Sequence, residues 1–135
     1  MDESKFFEAA QSLAQSMSQW DLLIIGASMV IIVSTSYYRP NTRKMRAAYF
    51  LFLPAWALLA LSIYQGIEIQ SRYVAYLVAA RHKSTDLIES IANKMNDNAL
   101  AQIRYLELAL VCLGGWLVVY ILWWVLSDQS PKEKK

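Results

Sequence analysis

Three long apolar runs constrain this chain more than any other feature. They are WDLLIIGASMVIIVSTSYY from Trp20 to Tyr38, AAYFLFLPAWALLALSIY from Ala47 to Tyr64, and LALVCLGGWLVVYILWWVL from Leu108 to Leu126. Each holds about 18–19 residues, or roughly 27–28 Å of helix, which matches a hydrocarbon core of about 30 Å. No charged side chain occurs from Leu22 to Tyr38, nor anywhere in the second and third runs. A soluble fold would have to bury three helices that are apolar all round, and a chain of 135 residues has too little other surface to cover them. The expected fold class is an all-α integral membrane protein, a single membrane domain over residues 1–135. Its spans are expected at about 20–38, 47–64 and 105–127, with an extramembrane helical connection over 65–104 that forms an amphipathic hairpin between the second and third.

Aromatic side chains gather at the ends of these runs. Trp20 opens the first and Tyr37 and Tyr38 close it. Tyr49 and Tyr64 flank the second, Tyr105 precedes the third, and Trp123 and Trp124 lie in its last turn. Ring bodies favour the headgroup boundary, where their N–H or O–H stays wet. Trp56 and Trp116 fall near mid-span and are expected to fill packing gaps or face lipid.

Between the first two runs stand Arg39, Arg43, Lys44 and Arg46, with no acid among them. Basic residues in short connections favour the cytoplasmic side. With three spans, this predicts the N-terminus outside and the C-terminus inside, and Lys132, Lys134 and Lys135 in the tail agree. The long connection spreads its basic residues among as many acids and competes weakly. The expected location is an integral membrane one, a bacterial inner membrane under this orientation. A net charge of +2 gives no reason to expect nucleic acid. The lone Cys112 rules out an internal disulfide.

Within the connection, Leu87, Ile88, Ile91, Ala92 and Met95 form one apolar face, and Asp86, Glu89, Asn93 and Lys94 face away. Ser84, Thr85 and Asp86 offer caps, and Asn96–Asn98 reads as a break. Upstream, Ile69, Tyr73, Leu77 and Ala80 share a face, with Gly66 as an expected hinge after the second span. The cover for these faces is the other hairpin arm, lipid headgroups or a neighbouring subunit.

Catalysis needs convergent polar groups, and few are present. His82 lies in a polar connector with no spaced metal ligands near it. No phosphate loop, nucleophile elbow or two-His helix motif occurs. Cys112 sits in an apolar run as a small packing residue. Arg104 and Glu107 suit an interfacial ion pair. No catalytic, cofactor or metal residue is assigned, and no enzyme activity is expected.

What remains is packing and permeation. Asp21, Ser28 and Thr35 recur every seven residues and share one helix face. The face could line a pore between subunits. It is more simply a close-packing seam whose hydroxyls bond their own backbone. Ala48, Ala55 and Ser62 make a similar seam in the second span. Pro54 removes the bond to the Phe50 carbonyl and is a candidate hinge. Gly114–Gly115 offers a close-approach site or a bend. The plan is similar in topology to some phage holins, although the long helical connection departs from it. Two functions follow as expectations. One is a homo-oligomeric pore or membrane-permeabilising assembly that transports ions. The other is a non-conducting accessory, assembly or immunity subunit of a larger membrane protein complex. The expected partners are the lipid bilayer and either further copies or another membrane protein.

Overall fold

The computed structural model describes residues 3–35 and 47–127. Among them the chain is helical throughout, apart from the turn at 82–84. Helix α1 is Glu3–Thr35. A single 3-10 turn, Tyr49–Leu51, leads into α2, Phe52–Arg81. Helix α3, Thr85–Ser127, completes the fold. At 1.5 Å per residue, the 33, 30 and 43 residues of these helices give lengths of about 50, 45 and 65 Å. All three are long and apolar enough to cross a membrane, which points to a membrane location. The basic connection Arg39, Arg43, Lys44 and Arg46, the ring pair Tyr37–Tyr38 and the C-terminal lysines lie outside the described residues.

The helices pack as one antiparallel bundle with a heptad interior. In α1 the buried residues are Phe7, Ala14, Asp21 and Ser28, each seven after the last. In α2 two interleaved series, Phe52, Leu59 and Gly66 and then Ala55, Ser62 and Ile69, make the inner face. In α3 it is Met95, Gln102, Ala109 and Trp116. A repeat of 3.5 residues keeps one seam facing the partner helices only if the helices coil around each other with a left-handed twist. The cross-contacts fix the direction of each helix. Phe7 stacks on Tyr76 at 3.7 Å, Ser28 meets Trp56, Ser62 meets Gln102, and Phe52 meets Trp116. So α1 and α3 both run against α2.

Several expected boundaries fall inside continuous helix. The first helix begins near Glu3, well before Trp20, because Phe7 and Ala14 extend the Asp21–Ser28 register into the bundle. Gly66 is no hinge. It lies within α2, where a Cβ would come 2.5 Å from Ser18 Oγ and 2.9 Å from Gln102 Nε2, so any side chain here would displace both polar groups. Asn96–Asn98 does not break α3, because Met95 before it and Gln102 after it are both fully buried and hold the segment in register. Gly114 and Gly115 make no close approach within the chain, since a Cβ on either would meet nothing within 4 Å. Residues 67–81 and 86–95 are helical, but each is part of a longer helix.

The turn between α2 and α3 ends α2 with two capping bonds. The Ser84 amide donates to the Ala79 carbonyl at 3.4 Å, and the Lys83 amide donates to Ala80 at 3.3 Å. This is a Schellman arrangement, which needs a left-handed residue at Lys83, whose φ is 53°. Ser84 precedes α3, and its carbonyl accepts the Ile88 amide at 3.2 Å. His82 Nδ1 pairs with the Val78 carbonyl at 2.9 Å, so in this hydrogen bond Nδ1 is the protonated nitrogen.

Candidate functional site

The site is a layer of polar groups inside an otherwise apolar bundle. Among the described residues, four polar or charged side chains are buried: Asp21, Ser28, Ser62 and Gln102. Each occupies a heptad position, so the same coiling that buries the apolar seam buries them. Gln102 Nε2 donates to the Ala14 carbonyl at 3.3 Å and to Ser18 Oγ at 3.4 Å. Ser18 Oγ donates in turn to the Ala14 carbonyl at 3.0 Å. The Ser62 hydroxyl stands between the Asp21 carboxylate and the Gln102 backbone carbonyl, 3.3 Å from the latter, and it has one proton for the two acceptors. Gly66 completes the layer by letting these groups meet.

The hydrogen-bond account of this layer does not balance. Both Asp21 carboxylate oxygens and Gln102 Oε1 are buried with no hydrogen-bond donor among the described residues. All three are acceptors. The two Nε2 bonds fix which end of the Gln102 amide is nitrogen, so the unpaired oxygen is not a matter of flipping it. A buried acceptor without a donor costs about 1–3 kcal/mol, and a charged one costs more.

The other members of the first-helix stripe are fully accounted for. Ser28 Oγ donates to the Ile25 carbonyl at 2.7 Å and accepts from Trp56 Nε1 at 2.8 Å. Thr35, half-buried, donates to the Ile31 carbonyl at 2.8 Å. Asp21 and Ser28 therefore face the chain's own α2 and α3. Trp56 bonds across to α1, and Trp116 is buried in an aromatic layer with Tyr49, Phe52 and Tyr120. Pro54 lies on the exposed side of the first turn of α2, directly after the 3-10 turn. The tightening to 3-10 geometry falls where its missing N–H and its ring disrupt the bond to Phe50.

Sequence reasoning missed Gln102. Its signal was the spacing from Met95 and to Ala109 and Trp116, a seven-residue series that identifies an inward position. Phe7 and Ala14 were missed for the same reason, since they continue the Asp21–Ser28–Thr35 step toward the N-terminus. Cys112 is a free, half-buried thiol in α3. Among the described residues no group of three or more His, Cys, Asp and Glu side chains is placed to hold a metal ion. In comparison with known proteins, the chain matches no family model, no curated relative and no solved structure.

Proposed function

We propose that this chain is a small integral membrane protein that acts by docking another membrane protein, as an accessory or assembly subunit without catalysis of its own. In this reading the apolar half of the bundle crosses the bilayer, with the N-terminus outside and the basic connection Arg39, Arg43, Lys44 and Arg46 in the cytoplasm. Residues 65–104 stand outside the hydrocarbon as a helical hairpin, and the first turns of α1 pack against it.

The supporting observation is an apolar face on the charged half. Val74, Leu77 and Val78 are exposed on α2 and, with Ala80 and Arg81, line an open groove. Positions 74, 77, 78 and 81 follow the i, i+3, i+4, i+7 pattern by which a helix presents anchors to a partner. α1 covers the Tyr73–Tyr76 side of the same helix, so it cannot cover this one. The occupant that fits is a helical segment of another membrane protein, carrying an acid against Arg81.

A photocrosslinking residue at Val74, in native membranes, tests this. The reading expects a discrete heteromeric adduct from Val74 and none from an equally exposed lipid-side position such as Val111. A ladder of self-adducts, together with ion flux from the purified protein in liposomes, would replace it with the homo-oligomeric pore. The pore reading keeps one observation in its favour, the unpaired Asp21 carboxylate, because intramembrane ionisable groups mark ion pathways. Against it, the Asp21–Ser28 face is already occupied by the chain's own helices, so a lumen between subunits would need another lining.

A further inference from the structure

We propose that the buried layer of Asp21, Ser62 and Gln102 is a binding site for one monovalent cation, a proton or an alkali-metal ion, held inside each chain. The inference does not depend on what docks at Val74.

The argument rests on the donor and acceptor count. Three buried oxygens lack a satisfied bond on two residues that both neighbour Ser62: Asp21 Oδ1, Asp21 Oδ2 and Gln102 Oε1. The donors that meet these helices here are fewer than the acceptors. Gln102 Nε2 serves Ala14 and Ser18, Ser18 Oγ serves Ala14, and the single Ser62 hydroxyl proton is shared between the Asp21 carboxylate and the Gln102 backbone carbonyl. The deficit is therefore one of positive charge or protons, not of space or apolar contact. A layer of surplus acceptors is what a bare cation requires, because it replaces its hydration shell with carboxylate, amide and hydroxyl oxygens.

Charge sets the valence. Asp21 is the one buried ionisable side chain among the described residues. The nearest charged groups on the packed helices lie outside the core. Glu68 and Arg72 pair with each other on the half-buried flank of α2 at 3.5 Å, and Arg104 and Glu107 on α3 are exposed. A single positive charge neutralises the layer. A divalent ion would leave a net charge buried, at a cost of several kcal/mol. A proton would turn one Asp21 oxygen from acceptor to donor, and an alkali ion would serve all three oxygens together.

The test is thermal unfolding of the full chain in detergent, at constant ionic strength held with choline chloride. One arm titrates sodium or potassium chloride at fixed pH. The other varies pH between about 5 and 9 without alkali ions. Both arms are run on the wild type and on Asp21→Asn, which keeps the shape and removes the charge. An alkali site raises Tm by about 5 °C at tenfold excess over Kd in the wild type, and the rise is absent in Asp21→Asn. A proton site gives a pH-dependent Tm that is insensitive to alkali ions and flattened in Asp21→Asn. Gln102→Met, which removes the amide oxygen and leaves the carboxylate, should weaken either response and serves if Asp21→Asn fails to fold. A wild type that responds to neither, or responses that persist unchanged in both variants, overturns the proposal.

Discussion

The half of the bundle formed by residues 3–19, 65–81 and 85–104 has a core of Phe7, Ala14, Ile69, Ala79, Ile91 and Met95 and an exterior studded with charge. The half formed by residues 20–35, 47–64 and 105–127 has Asp21, Ser28, Ala55, Leu59, Ala109 and Trp116 inside and Leu, Val and Ile outside. Their interiors follow the same seven-residue step, and their exteriors differ in charge, which the first half carries beside the exposed Val74, Leu77 and Val78. The more apolar exterior surrounds the more polar interior. Fold and solvent are thus specified by different residues: the seam sets how the helices coil, and the outward positions set what surrounds them.

The sharpest way to break that comparison is to damage each interior in turn. Leu59→Ala and Ile69→Ala lie on either side of the polar layer, and both residues are fully buried. Each should cost about 2–5 kcal/mol. If the seam is continuous, each should lower one shared unfolding transition in detergent, followed by helical circular dichroism. Two separate transitions, each sensitive to one of the mutations, would mean that the halves are independent.

Glycine positions give a smaller contrast with opposite signs. Gly66→Ala forces Ser18 and Gln102 to move and should cost about 1–3 kcal/mol. Gly114→Ala meets open space and should be neutral or stabilise by up to about 1 kcal/mol through helix propensity. Equal effects on Tm at the two sites would place the close approach somewhere other than the polar layer.

Trp56→Phe removes the bond to Ser28 and should cost about 0.5–1.5 kcal/mol while leaving the helix content unchanged. The smallest effect is expected at the turn. Lys83 holds a left-handed conformation, so Lys83→Gly should stabilise by about 1 kcal/mol or less, read as a small rise in Tm.

The apolar runs made the helices and their membrane character legible, because hydropathy reads the outward positions directly. The ends of the helices were hidden by the same signal. Hydropathy changes at Trp20 and Tyr64, so the first span was expected to start at the one and a hinge to follow the other at Gly66, yet the seam passes both without interruption. Following the step of seven outward from Asp21 reaches Phe7 and Ala14 and would have extended the helix. Gly66 and Asn96–Asn98 misled for a local reason. Both are helix breakers by propensity, and tertiary packing of Ser18, Gln102 and Met95 outweighs a preference of only about 1 kcal/mol. The unpaired acceptors of the polar layer could not be read from the sequence. They depend on which carbonyl takes the Ser62 proton and where Gln102 Nε2 points, and both are set by the packing of three helices.

Backbone hydrogen exchange of the full chain in detergent tests the central claim most directly, because it reads helix continuity residue by residue. One seam running the length of the bundle predicts strong protection from Leu59 through Tyr73 and from Ile91 through Ala109, with no gap at Gly66 or at Asn96–Asn98. Rapid exchange at either segment, separating a protected apolar half from a labile charged half, would contradict it.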